Sequence, residues 1–395
     1  MKLILFANTD WYLYNFRRSL ALGARDAGHD VLLVSPAGPH GQRLLELGLR
    51  WIPAPMERRS LNPVRELALL LWLTRLVRAE KADVVHGFTI KCAVYGALAA
   101  RLSGAARVNA VVGMGYVFLS DECTARLLRP VVRTLMRVAL GGARARLILQ
   151  NLDDFAFFEK RGITRSSQIR LIPGSGVDCA RFLPPTGSQD RDPHAPTRIV
   201  LAARMLRDKG IREFVDAAQI LKAEGRALHF VLAGTPDPGN PAAIPEETLR
   251  AWQESGLVEW PGHVEDMPAL LAGADVVVLP SYREGLPKSL IEAAVCGRPL
   301  ITTDVPGCRE VVTDGVDGLL IPMRQAGALA RAVARLQDDP DLARRLGEAA
   351  RAKALATYDE RIVVGQTLEV YRELVGGSVT KGYDRSASTK PAAIA

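Results

Sequence analysis

Two runs of alternating strand-like and helix-like segments, separated by one stretch that sustains neither, constrain this 395-residue chain more than anything else in it. β-rich runs at Leu3–Ala7, Val31–Ser35, Asp83–His86, Arg107–Val112 and Arg146–Leu149 read as strands, and helical patterning occupies 16–27, 62–80, 91–103, 125–140 and 152–161. Strands that alternate with helices pair in parallel, because a parallel neighbour is reached only by a crossover. The pattern then gives way to Pro184-Pro185-Thr186-Gly187-Ser188-Gln189-Asp190-Arg191-Asp192-Pro193, which reads as a linker. A second series follows, with strands near 197–203, 227–233, 257–260, 275–279, 299–302 and 318–321. Its helices fall near 210–224, 245–254, 266–272, 287–296, 325–337 and 340–356. The expected class is α/β: an N-terminal domain over 1–180, a linker over 181–196 and a C-terminal domain over 197–357. A helix over 358–375 is expected to pack back on the N-terminal domain, ahead of a flexible tail over 376–395. In doubly wound sheets ligands bind outside the carboxyl ends of the strands, so the site is expected in a cleft between the two domains.

Composition removes several classes of function. Five scattered cysteines, none in a C-x-x-C pair, suggest neither a disulfide framework nor a zinc site, and fit a reducing, cytoplasmic compartment. The longest strongly apolar run, Leu67–Leu73, is far short of the ~20 residues needed to span a bilayer. Charge is unevenly placed: residues 1–175 carry 25 Lys and Arg against 13 Asp and Glu, and residues 176–395 carry 26 against 30. A basic half faces nucleic acid, an anionic membrane surface or a phosphorylated substrate, unless it is simply a solvated Arg-rich surface. No helix-turn-helix, RNP or zinc-finger pattern accompanies the charge, so nucleic acid is not an expected partner.

The chemistry concentrates in two segments of the second series. Ser281-Tyr282-Arg283-Glu284-Gly285-Leu286-Pro287-Lys288-Ser289-Leu290-Ile291-Glu292 follows an apolar strand and runs into a helix. The free amides of that helix start seat a diphosphate, and Gly285 allows close backbone approach. Carboxylates beside a phosphate seat are suited to accepting hydrogen bonds from sugar and ribose hydroxyls; the plainer alternative makes Glu284 a helix cap and Glu292 a solvated or paired acid. In Ala203-Arg204-Met205-Leu206-Arg207-Asp208-Lys209-Gly210, Arg204 and Lys209 stand at the same sheet edge, placed to neutralise charge on a leaving diphosphate, or else solvated.

Together these segments resemble the family 4 glycosyltransferases of the GT-B fold, in which two Rossmann-like domains face across a cleft. E-G-L-P-x-x-x-x-E at 284–292 is similar to that family's E-x(7)-E element, and R-x(4)-K at 204–209 to its phosphate pair. Ile172-Pro173-Gly174-Ser175-Gly176-Val177-Asp178 with Phe182 resembles its domain junction, and Gly262-His263-Val264-Glu265-Asp266 its base-holding turn. The resemblance implies a retaining transfer in which Arg204, Lys209 and Glu284 are catalytic. It implies donor binding by Gly174, Gly234, His263, Val264, Gly285, Leu286, Pro287, Lys288, Ser289 and Glu292. The expected donor is a UDP-sugar carrying a hexose or N-acetylhexosamine, with no metal and no cofactor. The rival readings are a nucleotide-sugar 2-epimerase of the same fold and a non-catalytic sugar-nucleotide-binding protein.

Three N-terminal segments, Asn8–Arg17, Val85–Lys91 and Val112–Phe118, resemble the subgroup acting on undecaprenyl-diphosphate-linked capsule, O-antigen or N-glycan precursors. They nominate Asn8, Asp10, Arg17, His86, Thr89, Lys91, Gly113 and Tyr116 as acceptor-binding residues for a polyprenyl-diphosphate-linked sugar. Val112 stands where many relatives carry His, which removes the usual candidate for a catalytic imidazole. His86, ending a buried strand, reads first as a core residue and second as an acceptor ligand, and Lys91 and Arg17 read as solvated cations or as grips for the acceptor diphosphate. Asn62-Pro63 opens a helix whose apolar residues are bordered by Arg58, Arg59, Arg65, Arg75, Arg78 and Lys81. Such a helix either packs on its own sheet or lies on anionic lipid, giving a peripheral position on the inner face of the cytoplasmic membrane.

Overall fold

The computed structural model describes residues 1–58, 60, 62–111, 123–184, 195–237 and 239–376. Two compact units emerge: Met1–Ser175 together with Val363–Ala395, and Gly176–Ile362.

In the first unit, seven strands form one parallel sheet: β1 (Lys2–Phe6), β2 (Asp30–Ser35), β3 (Arg50–Pro53), β4 (Val84–Phe88), β5 (Ala106–Ala110), β6 (Ala145–Leu149) and β7 (Ile169–Leu171). Their spatial order is β3-β2-β1-β4-β5-β6-β7, so the order reverses between β1 and β4. Successive side chains of a strand point to opposite faces. Leu3 and Leu5 accordingly enter one core with Val363, Leu368 and Tyr371 of the helix Glu360–Val375. Ile4 and Phe6 enter the opposite core with Leu69, Leu73 and Val77 of the helix Pro63–Ala79. Asn62 caps that helix, its side chain accepting from the amides of Val64 and Arg65.

The second unit holds β8 (Thr197–Ala202), β9 (Leu228–Ala233), β10 (Glu259–Gly262), β11 (Val276–Leu279), β12 (Leu300–Thr303) and β13 (Leu319–Ile321). All pair in parallel in the order β10-β9-β8-β11-β12-β13, and the reversal lies between β8 and β11. Both sheets are thus doubly wound, the topology that leaves a ligand crevice at the carboxyl edge of each reversal.

Three features depart from the sequence reading. The segment after β1 is helical from Asp10, not from 16, because Thr9 caps it by accepting from the Tyr12 amide. This helix passes through a π-helical stretch, Leu13–Arg17, before continuing as Arg18–Asp26. The short edge strands β3 and β7 were not expected, since β3 ends in a proline and β7 has three residues. The first boundary lies at 175/176, earlier than the expected 180, because Val177, Cys179 and Phe182 are buried in the core of the second unit. The second boundary falls at 362/363, so the helix expected over 358–375 divides between the units near its start.

Candidate functional site

At the reversal of the second sheet, the segment after β8 is stitched to the segment after β11. Gly210 has φ +72°, and a Cβ there would lie 2.1 Å from the carbonyl oxygen of Pro280, so the two backbones approach at a distance only glycine allows. The Tyr282 amide and the Ser281 hydroxyl both donate to the carbonyl of Asp208, at 2.8 and 3.0 Å. The Tyr282 hydroxyl donates to Glu213 Oε1 at 2.6 Å. Across this seam Lys209 Nζ donates to Glu284 Oε1 at 2.6 Å, with both side chains largely buried. Arg204 stands exposed at the same edge, its Nη1 2.7 Å from Asp237 Oδ2.

The Glu284 amide donates to the carbonyl of Pro306, and Gly307, at φ +80°, brings its backbone against Glu284 and Gly285. Leu286 packs on the core, and Pro287 occupies the cap position of the helix Lys288–Val295, with Lys288 and Ser289 opening its first turn. Pro287 therefore precedes the helix, where the sequence reading put it inside the first turn. Glu292 projects from that helix 3.8 Å from Lys288 Nζ. Burial raises its carboxyl above the ordinary range, while Lys288 and Arg181 pull it down. The Gly234 amide donates to the carbonyl of Gly262 at 2.7 Å, joining the β9 loop to the turn that carries exposed His263 and half-buried Val264. All donor-side candidates except Gly174 thus belong to one unit. Gly174 lies in the other, where its carbonyl accepts from Arg17 Nη1 at 3.4 Å.

The acceptor candidates separate into engaged and available groups. Asp10 is only 4% exposed and accepts from the amides of Trp11, His40 and Gly41, which pins the loop after β2 to the helix start. Lys91 is bound within the protein, to Glu66 at 2.7 Å and to the carbonyls of Glu57 and Ser60. Arg17, 5% exposed, lies 4.4 Å over the Phe88 ring and donates to the Tyr12 hydroxyl at 2.7 Å. No carboxylate pairs with it among the described residues, and its Nε lacks a partner. Asn8 is half-buried just beyond β1. Thr89, a β-branched residue, takes φ +69° at the carboxyl end of β4, the kind of strain that collects at ligand sites. Gly113 and Tyr116 lie outside the described residues, as do Arg59 and Leu61.

His86 is 1% exposed, stacks 4.0 Å from the Phe88 ring and shares a 2.7 Å hydrogen bond through Nδ1 with the hydroxyl of Tyr371. It is a core histidine in contact with the C-terminal helix. Burial, and then the Arg17 charge, hold its imidazole well below 6.5, so it is neutral in the native chain. The unfolded chain takes up that proton near pH ~6.5, so this contribution to stability is complete above that pH and declines as pH falls below it. Relative to a His86→Gln variant, the wild type is expected to lose about 1.4 kcal/mol between pH ~7.5 and ~5.5. Urea unfolding of both proteins across that range measures it.

On the helix Pro63–Ala79, Val64, Leu67 and Leu71 are exposed along one face with Arg75 and Arg78 beyond them. Leu69, Leu73 and Val77 are buried on the other. No helix among the described residues is long and apolar enough to cross a membrane.

Tyr282, Glu213, Asp237 and Gly307 were not among the expected site residues. Of these, Tyr282 lies within the segment 281–292 singled out above and Pro306-Gly307 is a turn signal directly after β12, whereas Glu213 and Asp237 carried no local mark of a part in the site.

Both units resemble known proteins. Residues 2–151 match the family described as glycosyl transferase 4-like, and residues 196–339 the family described as glycosyl transferases group 1. The chain is 28% identical over 372 residues to the N,N'-diacetylbacillosaminyl-diphospho-undecaprenol alpha-1,3-N-acetylgalactosaminyltransferase of Campylobacter jejuni, covering 92% of this chain and 96% of that one. It is 27% identical over 308 residues to the UDP-Gal:alpha-D-GlcNAc-diphosphoundecaprenol alpha-1,3-galactosyltransferase of Escherichia coli, covering 75% and 76%. Its fold matches the solved sucrose-phosphate synthase of Thermosynechococcus elongatus with a TM-score of 0.77 at 21% identity, over 96% of this chain and all of that one.

Proposed function

We propose, from the premise that this chain belongs to the family 4 glycosyltransferases and has their GT-B fold, that it moves a hexose or N-acetylhexosamine from a UDP-sugar to a polyprenyl-diphosphate-linked sugar. The observation that carries the reading is the Lys209–Glu284 pair, held across the reversal of the second sheet with Arg204 at the same edge. A sugar hydroxyl finds an acceptor in Glu284, and the departing diphosphate finds two cations in Arg204 and Lys209. In the proposed step the bond from the anomeric carbon to the donor phosphate breaks and a bond to the acceptor hydroxyl forms on the same face. The acceptor proton passes to the phosphate oxygen, and UDP leaves. Preorganised cations aimed at the developing phosphate charge supply most of the rate, without metal. Glu292 is assigned to the ribose hydroxyls.

On the acceptor side Arg17 is favoured over Lys91 as the cation for the acceptor phosphate, since Lys91 is neutralised by Glu66 and Arg17 has no carboxylate partner among the described residues. The exposed Val64, Leu67 and Leu71 with Arg65, Arg75 and Arg78 support docking on anionic lipid at the cytoplasmic face of the membrane.

UDP release from a panel of UDP-sugars, with and without a short-chain polyprenyl-diphosphate sugar, tests the reading. Release that requires the lipid-linked acceptor and collapses in Glu284→Ala is the expected result. A changed sugar in the recovered UDP-sugar, with no acceptor dependence, would replace transfer by epimerisation.

A further inference from the structure

We propose that Arg324 is a positioning residue for the sugar-binding carboxylate, acting through Tyr282 and Glu213; the proposal rests on the donor reading above. Arg324 follows β13, at the carboxyl edge of the sheet that carries Lys209 and Glu284. Its backbone has φ +60°, and its side chain is exposed. Glycine holds that conformation without the steric penalty that a Cβ brings, so the backbone gives no reason for arginine here. The side chain supplies one: its guanidinium lies 4.6 Å over the ring of Tyr282.

Tyr282 is the joint of the seam. Its amide is bonded to Asp208, its hydroxyl to Glu213, and it precedes Glu284 by two residues. Glu213 stands in the first turn of the helix Ile211–Ala223, immediately after Lys209 and Gly210. Its second carboxylate oxygen is buried without a partner among the described residues. The phenol is thus held between an acid at its tip and a cation over its face. Burial and the Glu213 bond push it up to about 12, which keeps it a donor at neutral pH. With the ring fixed from both sides, the chain from Ser281 to Glu284 has one position, and Glu284 meets Lys209 and the sugar in register. Removing Arg324 frees one face of the ring and lets that loop open.

The test uses the full chain with Arg324→Gly, Arg324→Lys, Tyr282→Phe and Tyr282→Leu. Arg324→Gly is expected to raise Tm by about 1–2 °C through relief of the backbone. It lowers kcat for transfer about tenfold, leaves the Kd for UDP and the KM for the acceptor unchanged, and speeds amide exchange across 281–285. Arg324→Lys restores most of the rate by keeping a cation over the ring. Tyr282→Leu, which loses both supports, falls further than Tyr282→Phe, which keeps the ring. Wild-type kcat and exchange in Arg324→Gly would overturn the proposal. So would a UDP affinity falling in step with kcat, which would make Arg324 a phosphate ligand. If the wild type transfers from no nucleotide-sugar, the donor reading fails instead, and amide exchange alone still decides whether Arg324 clamps the loop.

Discussion

Lys209→Ala is expected to lower sugar transfer by about three orders of magnitude and to destabilise the protein in the same stroke. The two losses have different origins. On the proposed function the rate falls because the ammonium assigned to the departing diphosphate is gone, an effect of the size seen when one preorganised transition-state donor is removed. Stability falls by about 3 kcal/mol because Glu284, largely buried and 2.6 Å from Lys209 Nζ, is left as an unmatched carboxylate. The double variant Lys209→Ala/Glu284→Gln separates them: with no stranded charge it regains most of the stability, yet none of the activity. Urea unfolding and the UDP-release assay on the three proteins make the comparison. Transfer by Lys209→Ala within tenfold of wild type would remove Lys209 from the catalytic groups.

Gly307→Ala is expected to be the next most damaging change, although Gly307 carries no chemistry. A Cβ built there would lie 2.5 Å from the carbonyl oxygen of Glu284 and 2.8 Å from that of Gly285, and the residue has φ +80°. Both obstacles are backbone, so neither rotates away; the loop that presents Glu284 must shift. A displacement of about 1 Å at a positioned group costs on the order of a hundredfold in rate. The strain itself costs about 2 kcal/mol. The distinguishing measurement is the split: kcat for transfer falls about a hundredfold while UDP, which lacks the sugar, binds within about twofold of wild type. Equal losses of UDP binding and rate would mean that the change disorders the whole donor seat.

The second unit was more legible in the sequence than the first. Five of its six strands, all but β10, contain a short apolar run, and each of the six was found within two residues of its place. In the first unit, β3 contains Trp51-Ile52-Pro53 and is half exposed, so it offers neither alternation nor a buried run. The aromatic stretch after β1 looked like a loop because its cap, Thr9, is one hydroxyl, and its helix begins with a π-helical turn that spoils the usual period. The groups that meet at the edge of the second sheet were readable because they lie in two continuous segments, 203–210 and 281–292, each directly after an apolar strand. The roles of Lys91 and His86 were not, since their partners, Glu66 and Tyr371, lie far away in the chain. The parts played by Gly307 and Tyr282 were hidden for the same reason: the turn and the segment that hold them are visible, but each acts on a neighbour that only the folded sheet edge supplies.

The helix that closes the first sheet also fixes the order of assembly. The second unit is an insertion: its polypeptide interrupts the first unit between Ser175 and Val363. As the chain leaves the ribosome, the inserted unit has its whole core available before the enclosing one does. Leu3, Leu5 and Val84 wait for Val363, Leu368 and Tyr371, the last partners to be synthesised. Until then the helix that begins at Asp10 covers that face of the first sheet only in part, through Leu13, Leu20, Ala21 and Ala24, and His86 lacks the phenol that satisfies it. During synthesis the first unit is therefore the aggregation-prone intermediate, and a nascent chain stalled before Tyr371 would be a client for chaperones rather than a working half-enzyme.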